Sequence, residues 1–431
     1  MELLSFLETT VTPYHTVETV AKYLNDAGFT ELELSEPFSV KKGGSYYIRL
    51  FGTGLFAFAI GHKFTKTAPL RMAAAHTDAP CLRVKPKAEA TACGCKRLNV
   101  EVYGGAILNS WYDRPLSLAG KVVYRKGKTG RLATKLFDAK RPILQIPDLA
   151  IHMNRNVNKG VETKPQKDLL PILGTFSVDE EKSGYFTRLI CREAGIDAES
   201  LTDFDVTVYC DDAPCFLGAD KELISSPRLD NQLSCYSLAR AITEGTQKNG
   251  ICAIALYDHE EVGSRSGQGA DSALTAQILE RIYSALGATK EEMYCAQNKG
   301  VLLSVDGAHA LHPNHTEVYD RENVALLNEG VAFKINSSQR YAFHPEVLSM
   351  LRVLCAEGNI SYQCVANHSD QVGGSTIGPI LSSHIPMRTQ DLGVPLLSMH
   401  SARELCGRAD VEALTALLTA YFNDENGKGS I

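Results

Sequence analysis

The positions of apolar and polar residues along the chain predict helices at both ends. In HTVETVAKYLNDAGF, apolar side chains recur on one helical face, with Thr16 as the predicted N-cap and Gly28 as the residue that ends the helix. A last helix is predicted from a single apolar stripe that comprises Val411, Leu414, Leu417, Leu418 and Tyr421.

Short apolar runs between these helices predict strands. SYYIRLFG, GLFAFAIG and PLRMAAAHTDAP follow the first helix, and after SSPRLDN similar runs alternate with amphipathic helices. Residues 90–220 differ, because they carry β-rich pieces separated by turns, such as LNVEVYGG and FDVTVYCDD. We therefore predict an α/β domain with a mixed sheet flanked by helices, formed by residues 1–89 and 221–431, and a β-rich insertion of residues 90–220.

Composition narrows the class of protein. The 431 residues carry a net charge of -6, with 44% hydrophobic and 22% charged residues, which is typical of a globular protein and not of a nucleic-acid or membrane binder. The segment MELLSFLETT lacks the positive residues of a secretory signal, and no apolar run is long enough to span a bilayer. The 12 cysteines are scattered, several of them in apolar runs, so we expect free thiols and a cytoplasmic location.

Potential metal ligands end four of the predicted strands. They are His76 with Asp78, Glu260 with Glu261, Asp306, and His400, while Asp230 precedes a helix in PRLDNQL. Each residue alone has a structural explanation, since a histidine at a strand end is often hydrogen-bonded and an aspartate before a helix is often a cap. Their recurrence at the carboxyl ends of strands, where ligands bind in α/β sheets, favours one shared site.

Two imidazoles and three carboxylates suit Zn²⁺, Mn²⁺ or Co²⁺ without any cysteine. Two such ions can share a carboxylate and a water, and the water then needs a base that is not itself a ligand. Adjacent glutamates at a bend can divide these tasks, with Glu261 as a ligand and Glu260 as the proton carrier. Asp78 shares a strand face with His76 and is predicted to orient the imidazole ring.

Seven ordered motifs carry a family resemblance. AAAHTDAPCLRVKP, SSPRLDNQLSCYSL, LYDHEEVGSRSGQGADS, LSVDGAHALHPN, GVAFKINSSQRYA, QVGGSTIGPI and SMHSARELCG resemble the M18 family of metallo-aminopeptidases, typified by aspartyl aminopeptidase. The resemblance covers nearly the whole chain. It implies a zinc-peptidase-like α/β domain with an inserted β-rich dimerisation or lid domain, and dimers that assemble into a larger shell, a dodecamer being one candidate.

The resemblance also implies roles for individual residues. His76, Asp230 and Asp306 would hold one metal and Asp230, Glu261 and His400 the other, with zinc as the first choice and Glu260 as general acid and base. His152 matches a histidine that reaches a neighbouring subunit's active site; otherwise it is a surface histidine. Lys334 matches a lysine suited to pairing with an acidic substrate side chain; otherwise it is a solvated lysine at a strand edge. Tyr341 would be a wall of the substrate pocket.

The function predicted from these features is a dinuclear aminopeptidase that releases single N-terminal residues, preferably Asp or Glu, from peptides. In that reaction a metal-bridged water attacks the peptide carbonyl, with Glu260 as the base. One alternative is another two-metal amide hydrolase, such as a deacetylase or a carboxypeptidase. The other alternative is a self-assembling scaffold with a vestigial site.

Overall fold

The computed structural model describes residues 1–127, 130–245 and 248–424. Within these ranges the helices are α1 (Leu3–Thr9), α2 (Pro13–Asp26), α3 (Pro165–Asp168), α4 (Tyr185–Ala194), α5 (Leu229–Glu244), α6 (Leu274–Ala285), α7 (Lys290–Asn298), α8 (Pro345–Gly358), α9 (Ile377–His384) and α10 (Arg408–Asn423). The strands of the first half are β1 (Thr30–Glu31), β2 (Ser45–Leu50), β3 (Gly54–Ile60), β4 (Leu70–His76), β5 (Cys81–Ala92), β6 (Cys95–Tyr103), β7 (Leu116–Lys126), β8 (Arg131–Asp138), β9 (Ile172–Thr175) and β10 (Leu201–Cys210). Those of the second half are β11 (Cys215–Leu217), β12 (Leu223–Ser226), β13 (Ile251–Tyr257), β14 (Val301–Val305), β15 (Ala308–His309), β16 (Val331–Lys334), β17 (Tyr362–Val365), β18 (Arg388–Gly393), β19 (Pro395–Leu397) and β20 (Glu404–Gly407).

A mixed nine-stranded sheet forms the centre of the molecule, in the order β1-β2-β3-β13-β4-β14-β18-β16-β17. Strands β13, β4, β14 and β18 are parallel, whereas β3 and β16 pair antiparallel on either side of them. Because side chains alternate along a strand, Ile254 packs into the core beneath α2, α5, α8 and α10, while Ala255 packs into the core beneath α6, α7 and α9. The predicted α/β fold, a mixed sheet flanked by helices, is confirmed.

The first long helix begins earlier than predicted. Helix α2 starts at Pro13, and Thr12 is its N-cap, with Thr12 Oγ1 accepting a hydrogen bond from His15 N. Proline is favoured at the first helical position because it has no N–H to satisfy there. The prediction of Thr16 as the N-cap was therefore wrong, and Thr16 lies inside the helix, where its hydroxyl donates to Thr12 O.

A second sheet has six strands in the order β8-β7-β10-β5-β6-β9, and all of its pairs are antiparallel. It has its own apolar core, to which Leu118, Val208 and Ile190 of α4 belong. The sheet starts at Cys81 and its last strand ends at Cys210, both before the boundaries of 90 and 220 expected for the insertion. Only residues 77–80 separate β4 from β5, and strand-like sequence continues on both sides, so alternation alone did not mark the passage from the first sheet to the second.

The division into two domains stays a prediction, and residues 425–431 of its second catalytic segment lie outside the described residues.

A small five-stranded sheet has the strand order β11-β12-β20-β19-β15. In the described part of the chain, no helix is both long enough and apolar enough to cross a membrane.

Candidate metal centre

Three neighbouring parallel strands end at one edge of the central sheet, and each carries candidate ligands there. His76 is the last residue of β4, Glu260 and Glu261 lie in the turn that follows β13, and Asp306 follows β14 directly. The order β13-β4-β14 makes His76 the middle of this row. Register alone therefore brings together residues that are far apart in sequence.

Asp230 and His400 reach the same edge from outside the sheet and are fixed by one buried carboxylate. Asp230 lies at the start of α5, and His400 lies in the loop between β19 and β20. Glu404 accepts a hydrogen bond from Asp230 N at 3.0 Å and another from His400 N at 2.7 Å. The Glu404 side chain is only 2% exposed. It was not predicted as a site residue, although it stands four positions after His400 in the motif SMHSARELCG.

The predicted ligands form two groups that share Asp230. His76 Nε2 lies 3.4 Å from Asp230 Oδ1 and 3.4 Å from Asp306 Oδ1. On the other side, His400 Nε2 lies 3.6 Å from Asp230 Oδ2 and 3.4 Å from Glu261 Oε2. In each group the ligand atoms all lie within 4.8 Å of one another. A third group joins His76 with Glu260 and Glu261, so Glu260 is also within reach of the centre.

Asp78 holds several parts of this centre in place. Its Oδ1 lies 3.3 Å from His76 Nδ1, and its two oxygens accept hydrogen bonds from the backbone N–H groups of Glu260 and Glu261 at 3.2 and 3.1 Å. Tyr103 Oη donates to Asp78 Oδ2 at 2.6 Å. The imidazole of His76 therefore presents Nε2 to the other ligands, which is the orientation a metal-binding histidine needs.

Burial and crowding shift the ionisation of these groups. Burial raises the pKa of Glu260 to about 8, and it also raises the pKa of Glu261, with the charge of Asp230 adding to the effect. For His400, burial opposes the charged form, but the nearby carboxylate of Asp230 and the charge of Glu261 raise its pKa to about 10. Carboxylates packed this closely favour the binding of positive charge.

Unsatisfied oxygens test whether the residues fit a metal. Asp230 Oδ1 and Glu261 Oε1 are buried and have no hydrogen-bond partner among the residues that the structure describes. A buried carboxylate oxygen without a partner is costly, and a divalent cation would satisfy both. The donors are imidazole and carboxylate only, which suits zinc and its neighbours in the first transition row. The residues therefore fit divalent cations.

Lys334 lies at the wall of a cavity of about 370 Å³ that is also lined by His309, Asn367 and Tyr341. The lysine is 3% exposed, and its Nζ lies 5.2 Å from the centroid of the Tyr341 ring. Burial opposes its charge, yet the fields of Asp306 and Asp391 raise its pKa, so the side chain stays cationic. The cavity thus presents a buried positive charge that is stabilised by Asp306 and Asp230 of the metal centre.

His152 is not part of the cluster within one chain. It is exposed, in the segment between β8 and β9.

Tyr103 and Glu404 are the residues that sequence reasoning missed. Tyr103 carried no signal, because it is an ordinary tyrosine in a predicted strand of the insertion.

A mixed α/β sheet that gathers imidazoles and carboxylates at one edge can hold divalent metal ions for a hydrolytic reaction, and the comparisons with known proteins identify the class. The model of the family described as Aminopeptidase I zinc metalloprotease (M18) matches residues 6–422. The chain therefore belongs to the M18 family of zinc metallo-aminopeptidases, and it is a peptidase. Family membership favours the aminopeptidase prediction over a deacetylase, a carboxypeptidase or a vestigial scaffold.

Several relatives and solved structures are similar to this chain over nearly its full length. Proteins named Probable M18 family aminopeptidase 2 from Clostridium novyi and Clostridium acetobutylicum are each 40% identical to it, over 95% of both chains and 98% of both chains respectively. The cryo-EM structure of the Ape4 and Nbr1 complex superposes with a TM-score of 0.93 at 32% identity, covering 97% of this chain and 84% of that one. The mApe1 dodecamer of S. cerevisiae gives a TM-score of 0.84 at 26% identity, covering 97% and 95%.

Proposed function

We propose that this protein is a dinuclear aminopeptidase that releases acidic N-terminal residues from peptides. The observation that carries the proposal is the pair of ligand groups joined by Asp230, whose two oxygens face His76 and His400 separately. A carboxylate in that position can bridge two cations, whereas a mononuclear site would not need a second histidine on the far side.

The assignment of ligands follows the two groups. His76 and Asp306 would hold one cation, Glu261 and His400 the other, and Asp230 both. When bound, two such cations lower the pKa of water and polarise a carbonyl oxygen. Zinc is the first choice, with manganese or cobalt as alternatives, because all three accept this donor set.

Glu260 is proposed as the general base and acid. Its carboxylate lies beside His76 and Glu261, and its backbone N–H is tied to Asp78 at 3.2 Å. It would accept a proton from the attacking water and deliver that proton to the leaving amine. Asp78 contributes by fixing both the His76 ring and the turn that carries Glu260.

The acidic preference is proposed from Lys334. A substrate carboxylate that enters the cavity would meet the ammonium group in a place where water is largely excluded, and an ion pair is stronger there than at the surface. Tyr341 would form the wall against which the aliphatic part of the substrate side chain packs.

Twenty aminoacyl anilides, assayed with and without a chelator, test the function. We expect hydrolysis that is fastest for aspartyl and glutamyl substrates, is abolished by the chelator and is restored by Zn²⁺, Mn²⁺ or Co²⁺. N-acylated and C-terminal substrates should not be cleaved, since the proposed reaction needs a free N-terminal residue. Faster cleavage of leucyl or lysyl substrates would contradict the acidic preference and leave the metallo-aminopeptidase assignment standing.

Replacing Lys334 by Met should change the preference and not the chemistry. We expect the ratio of kcat/KM for glutamyl over leucyl anilide to fall about 10- to 100-fold, as for the loss of a hydrogen bond to a charged group. Lys290→Met is the control, because Lys290 pairs with Glu280 on the surface and should leave the ratio unchanged. An unchanged ratio in Lys334→Met would remove this residue from substrate recognition.

We also propose that the chain assembles into dimers within a larger shell and that His152 serves a neighbouring active site. Three apolar side chains close to it in sequence are strongly exposed, namely Leu149 at 57%, Ile151 at 48% and Met153 at 76%. Exposed apolar side chains in such a group favour burial against a partner. The similar S. cerevisiae protein is a dodecamer.

Co-expression of two inactive chains tests the role of His152. One chain carries His152→Ala and the other carries Glu260→Gln. If His152 acts across an interface, mixed oligomers regain part of the wild-type activity, because some sites combine an intact Glu260 with the partner's His152. Mixed oligomers of confirmed mass that stay inactive would rule the contact out, and a monomeric mass by light scattering would rule out the assembly.

A further inference from the structure

The end of strand β6 and the residues that follow it contact the metal centre directly. We call these residues, 103–110, the connecting segment. Gly105 O accepts a hydrogen bond from His400 Nδ1 at 3.2 Å, and Ile107 N donates to His400 O at 2.9 Å. Ser110 Oγ accepts from Ala402 N at 2.8 Å. The loop that carries His400 is therefore fixed by the connecting segment as well as by Glu404.

The contact with Gly105 decides which nitrogen of His400 is available. A metal-binding histidine is neutral, and one that donates from Nδ1 to a backbone carbonyl presents its lone pair on Nε2. Nε2 is the atom that faces Asp230 and Glu261. The connecting segment thus selects the tautomer of one candidate ligand.

Tyr103 makes the corresponding contact on the other side of the centre. Its Oη donates to Asp78 Oδ2 at 2.6 Å, and Asp78 in turn holds the His76 ring and the N–H groups of Glu260 and Glu261. Burial and the charge of Asp78 raise the pKa of Tyr103 far above its usual range, so the hydroxyl keeps its proton and remains a donor.

The position of Tyr103 is itself well determined. It pairs with Cys81 across the β5–β6 ladder, and the Arg83 guanidinium lies 5.4 Å from the centroid of its ring. Arg83 is held by an ion pair with Asp205 of β10. The next residue, Gly104, has φ +72, and a Cβ added there would lie 3.0 Å from Glu261 Cβ. Close packing of this kind transmits the geometry of the sheet to the turn that carries both glutamates.

We propose that the inserted sheet completes the metal centre and that Tyr103 is its positioning residue, which orients His76, Glu260 and Glu261 through Asp78. The inference rests on the proposed metal centre. It gives the insertion a role within its own chain that is separate from any role in assembly.

Tyr103→Phe tests the proposal, because it removes one hydroxyl and keeps the ring. We expect Zn²⁺ to bind about 10- to 100-fold more weakly, measured by competition with a chromogenic chelator, as for the loss of an outer partner of a metal ligand. In the Co²⁺-loaded protein the visible absorption bands should shift, since the ligands are less well oriented. With saturating metal, kcat should fall more than KM rises.

A second measurement uses the metal-free protein, so its result does not depend on bound metal or on enzyme activity. In chelator-treated protein, amide hydrogen exchange of a peptide covering residues 258–264 should be faster in Tyr103→Phe, because Asp78 would hold the two N–H groups less firmly. Tyr185→Phe is the matched control. Tyr185 is a buried tyrosine on α4 that donates to Arg97 O at 2.6 Å, and its variant should keep wild-type metal affinity.

The possible outcomes separate this inference from the proposed function. A wild-type protein that binds no divalent metal would overturn the metal centre itself. A wild-type protein that binds metal, together with a Tyr103→Phe variant of unchanged affinity, cobalt spectrum and hydrogen exchange, would overturn only the positioning role. Equal losses of metal affinity in Tyr103→Phe and Tyr185→Phe would indicate a general effect on stability and would also overturn it.

Discussion

Replacing Glu260 by Gln is expected to lower kcat by about 10²- to 10⁴-fold, the range typical of losing a general acid–base group. This corresponds to roughly 3–5 kcal/mol on the activation barrier. The amide has nearly the same shape as the carboxylate but cannot take a proton from water. The proposed ligands are untouched, so metal content and KM should stay close to those of the wild type.

The neighbouring residue provides the matched comparison. Both glutamates lie in the same turn and close to His76, so position alone does not assign their roles. Glu261→Gln should lose metal from the group that contains His400, because Glu261 Oε2 faces His400 Nε2 at 3.4 Å. Metal analysis by mass spectrometry distinguishes the two variants. If Glu260→Gln loses metal and Glu261→Gln retains it, the two roles have been assigned the wrong way round.

Asp230→Asn is expected to affect both metal positions at once. One oxygen of Asp230 faces each histidine, so no other single substitution should disturb both groups equally. We expect turnover to fall by at least about 10³-fold, more than the 10- to 100-fold typical of losing an outer partner of a metal ligand. Isothermal titration should show weaker binding of both equivalents of Zn²⁺.

A buried aspartate elsewhere controls for the general cost of this change. Asp410 accepts hydrogen bonds from Asn328 N at 2.8 Å and Gly330 N at 2.7 Å at the start of α10. Asp410→Asn should lower the melting temperature while metal stoichiometry stays at that of the wild type. If Asp230→Asn still binds two equivalents with wild-type affinity, Asp230 does not bridge the site.

Much of the fold could be predicted because strand ends and helix stripes are local signals. The largely apolar runs that lead to His76 and Asp306 identified central strands, which are buried in the sheet except for Arg71 of β4, a half-buried residue. The start of α2 was misplaced because the apolar periodicity is clearest from Val17 onward, whereas the helix begins with the pair Thr12-Pro13. A capping residue followed by proline was the signal that marked it.

The outer parts of the candidate site could not be read in the same way. Glu404 and Tyr103 act through hydrogen bonds to residues distant in the chain, and no periodicity or spacing predicts such a contact. Lys334 was identified from its motif, but its burial beside Asp306 is a consequence of the packing of β16. Local pattern gives the elements and their ends, whereas these contacts require the folded chain.

The wide distribution of the ligand set along the chain has a consequence for biosynthesis. The group formed by Asp230, Glu261 and His400 is complete only once residue 400 has been synthesised. It is therefore absent from a polypeptide that is still emerging from the ribosome without its last segment. Loading of that position would therefore follow release of nearly the whole chain. A nascent chain, or a product that ends before His400, would lack a proposed ligand of that position and would be inactive, so proteolytic activity would be confined to finished molecules.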